Sequence, residues 1–279
     1  VDGYLNQRYY WDSEDKKILY ATPSSLTEEA ASDSAGGMVW LKMGNRNVTT
    51  AIDLSGLGLD TITETEEEFV IGCMTPLRDL ELHEGLHAYT HGAMKESLRH
   101  IVGVQFRNCA TVGGSIWGRF GFSDVLTMFL ALDTEVELFK GGRVCLWDFV
   151  KMPKDRDILV HIIVKKTPIK TAYLSQRNTK TDFPVLACCV SLSEDGMKAV
   201  YGARPSKAFL LEDEENFLKD AQTLSEEEKK AAYEKFADYA ARKVPTSGNM
   251  RGSAKYRTLL VKVLTRRALE AVGGMSDEN

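Results

Sequence analysis

Apolar residues along this chain come in short runs, and two periods alternate. Residues 51–54 (Ala-Ile-Asp-Leu), 69–72 and 158–164 are compact runs closed off by glycines or charges, the mark of buried strands. The last is almost wholly apolar, which predicts a central place in its sheet. Residues 136–139 and 143–146 flank Gly141-Gly142, and residues 185–192 and 197–203 flank Glu194-Asp-Gly196, so both pairs read as hairpins. Helical stretches carry their own start signals. Ser24 or Ser25 caps a short helix with carboxylates in its first turn, and Thr75-Pro76 opens another with proline at the first helical position. Residues 89–100 predict a helix, Ser123 caps one over 125–132, and Ser225 with Glu228 forms a capping box that starts a helix to about Lys243. The final helix begins near Ser253, sets Tyr256, Leu259, Leu260, Val263 and Leu264 on one face, and ends at Gly273-Gly274. Residues 38–43 fit helix or strand, and residues 9–20 give no clear topology. A strand-and-loop-rich first part thus gives way, near residue 168, to a smaller sheet with packed helices.

Composition narrows the class. A chain of 279 residues suits one large or two modest domains, and its apolar (43%) and charged (27%) shares are those of a soluble globular protein. A net charge of −5 without a basic stripe argues against nucleic acid as a partner. The acidic run 64–68 reads as a solvated turn between strands. Five scattered cysteines form no CxxC pair, so no zinc knuckle or iron–sulfur site is spelled out, and they fit reduced thiols in a cytoplasmic protein. No apolar run is long enough to span a membrane, and the first residues show no signal pattern.

Candidate chemistry is sparse. His83-Glu-Gly-Leu-His87 matches the zinc-peptidase string HExxH. Gly85 weakens such a helix by about 1 kcal/mol, Thr90 breaks the longer metzincin pattern, and the stretch falls between helices, so we expect no metal site and exposed histidines. No GxSxG elbow or activated cysteine offers a nucleophile, so no catalytic side chain is expected. The basic residues Lys255, Arg257, Lys262, Arg266 and Arg267 of the last helix read as a solvated or subunit-contacting face. Two glycine pairs are the stronger signal. Gly36-Gly37 lies near the N-terminus. Gly113-Gly114 follows what reads as a strand end at Gln105 and precedes the helix capped by Ser123. Paired glycines and helix-opening amides suit a phosphate-bearing ligand, and neither pair fits the Rossmann GxGxxG.

Read together, these stretches resemble the FAD-binding subunit or domain of molybdenum hydroxylases such as xanthine dehydrogenase and carbon monoxide dehydrogenase. The resemblance rests on Ala35-Gly-Gly-Met-Val39, Ala51-Ile-Asp-Leu54, Gln105-Phe-Arg-Asn-Cys-Ala-Thr-Val-Gly-Gly-Ser-Ile116 and Ser123-Asp124. It is completed by Met250-Arg-Gly-Ser-Ala-Lys-Tyr-Arg257 and Leu264-Thr-Arg-Arg-Ala268.

The resemblance implies an α+β protein. A two-lobed FAD-binding domain of the vanillyl-alcohol-oxidase type would cover residues 1–167, with lobes of about 1–58 and 59–167. A small C-terminal domain of antiparallel sheet and helices would cover 168–279. By the same resemblance, Gly36, Gly37, Met38, Val39, Trp40 and Leu41 hold the FAD pyrophosphate together with Thr111, Val112, Gly113, Gly114 and Ser115, mainly through backbone amides. Asp124 accepts a hydrogen bond from a cofactor hydroxyl, and Ile101 and Leu159 stand where apolar residues contact the flavin or adenine. The implied role is electron relay from an iron–sulfur partner through FAD to an acceptor such as NAD. The implied partners are a molybdopterin-binding large subunit and a 2Fe-2S small subunit, and the molybdenum chemistry lies on another chain. Met38 and Val39 stand for the family's Thr-Asp, Ser115 for Asn, Arg119-Phe-Gly121 for its Ser-Pro, and Leu174 for a lysine. Each change removes about 0.5–1.5 kcal/mol of hydrogen bonding. A rival reading is therefore a cofactor-free structural or assembly subunit of the same fold.

Overall fold

The structure, a computed structural model, describes residues 3–5, 10–12, 17–19, 54–153, 157–194, 196–218 and 224–274. The helix expected after Ser24, the glycine loop from Gly36 to Leu41, the segment 38–43 and residues 51–53 lie outside the described residues.

Short strands β1 (Gly3–Leu5), β2 (Tyr10–Asp12) and β3 (Lys17–Leu19) pair antiparallel in that order. Strands β4 (Ile62–Glu64) and β5 (Glu68–Gly72) form a hairpin across the acidic run. Six short helices follow: α1 (Leu77–Leu82), α2 (Glu84–Tyr89), α3 (Ala93–Leu98), α4 (Val104–Cys109), α5 (Val112–Trp117) and α6 (Asp124–Leu130). Then come β6 (Thr134–Leu138), β7 (Gly142–Cys145), α7 (Leu146–Phe149) and β8 (Leu159–Lys165). Strands β9 (Ile169–Arg177), β10 (Pro184–Ser193), β11 (Gly196–Gly202) and β12 (Phe209–Glu212) precede the long helices α8 (Glu226–Lys243) and α9 (Ala254–Gly273).

The chain packs as two compact units. The first takes in residues 1–82, 103–120 and 133–166. Its main sheet has the order β4-β5-β8-β6-β7, antiparallel throughout, with β8 in the middle as its apolar run predicts. Phe69, Ile71, Ile162 and Val164 are wholly buried. The β6–β7 turn is held by Asp157, whose carboxylate accepts from the amides of Lys140, Gly141 and Ile158.

The second unit takes in residues 83–102, 121–132 and 167–279. Its sheet is the antiparallel meander β12-β11-β10-β9. Eight successive residues of β10 are buried because both of its faces are covered. Leu186, Cys188 and Val190 share a core with Phe236 of α8 and Val261 and Leu264 of α9, while Cys189 meets Met128 of α6.

Three expectations need correction. Of the helix expected over 89–100 only residues 93–98 are helical (α3), since α2 ends at Tyr89 and the chain turns at His91 and Gly92, both with positive φ (49° and 84°). Residues 104–109 are helical, not a strand end, and the glycine pair at 113–114 lies inside a short helix rather than a loop. On α9 the buried face runs through Arg257, Leu260, Val261, Leu264, Thr265 and Ala268, whereas Tyr256 and Leu259 are 38% and 56% exposed. The reason is Arg257, read above as a surface cation. It is wholly buried and donates to the carbonyls of Val185, Ser247 and Gly252 and to Oδ1 of Asn249.

Candidate cofactor site

In the first unit the long motif builds a corner. Thr111 is the N-cap of α5, its hydroxyl accepting from the Gly114 amide (3.2 Å). The remaining amides of that turn also have acceptors inside the chain. Val112 donates to the Thr75 carbonyl, Gly113 to the Cys73 carbonyl (both 2.9 Å) and Ser115 to the Thr111 carbonyl. The Ser115 hydroxyl donates to that same Thr111 carbonyl. Where the resemblance implies amides facing a phosphate, the structure gives each of these four a protein partner. Glycine at 113 is required for a different reason. A Cβ there would lie 2.5 Å from the Cys73 carbonyl oxygen, so the helix can lie on that strand end only without a side chain.

Upstream in the same motif, Arg107 is a buried structural residue. Its guanidinium binds Glu81 of α1 at 2.7 Å, and Arg78 reaches the same carboxylate at 2.9 Å. Burial pushes the Glu81 carboxyl up, but the hydrogen bonds from Arg107 and Arg78 outweigh it and hold the group below its usual value. Leu159 is fully buried in β8, where it pairs with Leu138.

Within the second unit, Ser123 caps α6 through the Leu126 amide and Asp124 opens the helix, 5% exposed. One carboxylate oxygen, Oδ1, accepts from the Tyr173 hydroxyl and from Arg177 Nη2, both at 2.5 Å. Burial pushes the Asp124 carboxyl up from its ordinary value, while the Arg177 charge and the Tyr173 hydroxyl draw it down. Arg177 is itself pinned, donating through Nε to the Ser175 hydroxyl and through Nη1 to the Asp182 carbonyl. Sequence reasoning found Asp124 but neither Tyr173 nor Arg177. The one available signal was a tyrosine and an arginine four residues apart in one stretch, at 173 and 177. Such a spacing places both on one face of a strand.

Arg177 also lines a cavity of about 290 Å³ in this unit, bounded by Glu96, His100 and residues 175–180. All eight lining residues are polar or charged. Ile101 is half-buried beside His100 in sequence, and Leu174 packs against the hydrophobic core of β10, α8 and α9.

His83 lies at the N-cap of α2, where its Nδ1 accepts from the Leu86 amide, so the stretch is helical rather than a connector. Among the described residues no group of three or more His, Cys, Asp or Glu side chains could hold a metal ion. Burial pushes the Cys73 and Cys188 thiols up to about 12, which leaves them without thiolate character. Among the described residues no helix is long and apolar enough to cross a membrane.

Comparison with known proteins follows the same outline. The family model described as the FAD binding domain in molybdopterin dehydrogenase matches residues 30–167, and that of the CO dehydrogenase flavoprotein C-terminal domain matches residues 171–272. The uncharacterized protein YgfM of Escherichia coli (strain K12) is 27% identical over 218 residues, covering 77% of this chain and 76% of its own. Carbon monoxide dehydrogenase from Hydrogenophaga pseudoflava shares the fold at a TM-score of 0.67 and 22% identity, covering 84% of this chain and 85% of that one. Quinoline 2-oxidoreductase from Pseudomonas putida 86 does so at 0.71 and 16%, with the same coverage. With its two consecutive matched stretches, the chain belongs to the FAD-binding flavoprotein family of the molybdopterin dehydrogenases, the family that includes the flavoproteins of carbon monoxide dehydrogenases.

Proposed function

We propose that the chain is the FAD-bearing electron-transfer subunit of a molybdenum hydroxylase complex, acting beside a molybdopterin-binding large subunit and a 2Fe-2S small subunit. The carrying observation is the succession, on one chain, of an FAD-binding domain and a flavoprotein C-terminal domain. FAD, when bound, would supply the redox chemistry for relay between an iron–sulfur partner and an acceptor such as NAD, while residues of this chain would hold and orient it. The relatives named carbon monoxide dehydrogenase and quinoline 2-oxidoreductase support an oxidoreductase assembly.

In this reading residues 1–167 bind the cofactor and residues 168–279 form the C-terminal domain. Gly36 to Leu41 and Thr111 to Ser115 share the phosphate site, with Ile101 and Leu159 as apolar contacts. Asp124 fits the cofactor: it is a nearly buried carboxylate at a helix start, able to accept a hydrogen bond from a hydroxyl. The five free cysteines suit a reducing compartment such as the cytoplasm. Purified chain is expected to show the absorption bands of oxidised flavin and to release FAD on denaturation. Colourless protein that takes up no added FAD overturns the proposal.

The internally bonded amides of α5 favour a second reading, a structural or assembly subunit that keeps the fold without the cofactor. It predicts a purified complex with molybdenum and iron–sulfur subunits and no flavin. Stoichiometric FAD in that complex eliminates it.

A further inference from the structure

We propose that Tyr173 and Arg177 are positioning residues for cofactor recognition, holding Oδ1 of Asp124 so that the rest of that carboxylate is presented to a hydroxyl of bound FAD. The inference rests on the function proposed above and extends it to two residues of β9. Three observations carry it. Both donors converge on the same oxygen, at 2.5 Å each, so the carboxylate is held from one side. A carboxylate has about four lone-pair sites, so two donors on one oxygen leave acceptor capacity at the other. The guanidinium cannot swing away to follow another partner, because Ser175 and the Asp182 carbonyl fix its other nitrogens.

The energetics point the same way. A buried carboxylate, guanidinium and phenol in one cluster pay a desolvation penalty that their mutual attraction often only balances, so such a cluster is a weak source of stability. Apolar side chains would fill the site between α6 and β9 at no such cost. What the polar cluster supplies is a carboxylate with a fixed orientation at the start of α6. Tyr173 and Arg177 lie in the stretch matched by the C-terminal family model and Asp124 in the stretch matched by the FAD-binding one. Cofactor recognition thereby depends on residues outside the FAD-binding stretch.

The test is a double-mutant cycle on the full-length chain, read as the dissociation constant of FAD and not as turnover. Tyr173→Phe removes one donor and keeps the ring. It is expected to weaken FAD binding about five-fold, within the range of one net hydrogen bond. In an Asp124→Ala background, which leaves Tyr173 no acceptor at this position, the same change is expected to have no effect on affinity, since Tyr173 acts only through Asp124. Should Asp124→Ala fail to fold, Arg177→Lys replaces it, and its effect with Tyr173→Phe is then expected to be less than additive. Unchanged FAD affinity in Tyr173→Phe overturns the proposal, as does an equal loss in both backgrounds. Wild-type protein that binds no FAD removes the proposed function itself, an outcome distinct from wild-type binding with an unaffected variant.

Discussion

At the scale of single residues, the motif that led to the family divides into parts with different duties. Arg107 is the third residue of its run Gln105 to Ile116, yet its side chain is 5% exposed and pairs with Glu81, 26 positions earlier. Replacing it in Arg107→Met leaves Glu81 with Arg78 alone and costs about 3 kcal/mol at neutral pH. The pH dependence has a definite sign. Glu81 titrates below its ordinary 4.5 in the fold, so its stabilisation is present above that value and is lost as pH falls through the lowered one. The gap between wild type and Arg107→Met in urea unfolding is therefore expected to narrow on acidification. A gap that stays constant or widens contradicts the pairing. Such a partner was not legible in the sequence, because Glu81 carries no local mark that it will be buried against a later arginine. Arg257 was misread for a related reason. A cation at helical spacing reads as surface, and only the tertiary fold shows four acceptors gathered around it.

Among the elements, those with signals written into their own residues were legible. Ser225 and Glu228 form the capping box as spaced, β8 lies central as its apolar run requires, and Gly142 turns the β6–β7 hairpin with φ of 66°. The six-residue helices α4 and α5 were not, since they are too short to stand on periodicity and exist by packing and capping. For α5 the packing has a sharp requirement. Gly113→Ala drives a methyl group into the Cys73 backbone and is expected to cost about 1–3 kcal/mol. Gly142→Ala meets no atom within 4 Å and pays only the strain of a positive φ, so it serves as the control. Thermal unfolding of the two variants checks the ordering, and a Gly113→Ala midpoint at or above that of Gly142→Ala contradicts it.

For the whole molecule, the domain order and the α+β class were legible because the motifs run the length of the chain in family order. The packing units were not, since nothing in residues 83–102 or 121–132 marks them as belonging with the strands after 167. Within that second unit, Thr171 donates to the Thr90 carbonyl, Met128 lies against Cys189, and Gly202 leaves room for Thr127. Each of these contacts joins residues far apart in the chain. Helix α6 thus has a consequence for how such proteins can recombine. A chimera with a relative that crosses over at residue 168 separates α2, α3 and α6 from the sheet they evolved beside. One that transfers residues 83–102 and 121–132 along with the C-terminal part keeps every one of those contacts native. The second design is expected to give the higher soluble yield and unfolding midpoint, and equal behaviour of the two would count against it. Inheritance in this family is then constrained less by where one sequence module stops than by which helices travel together.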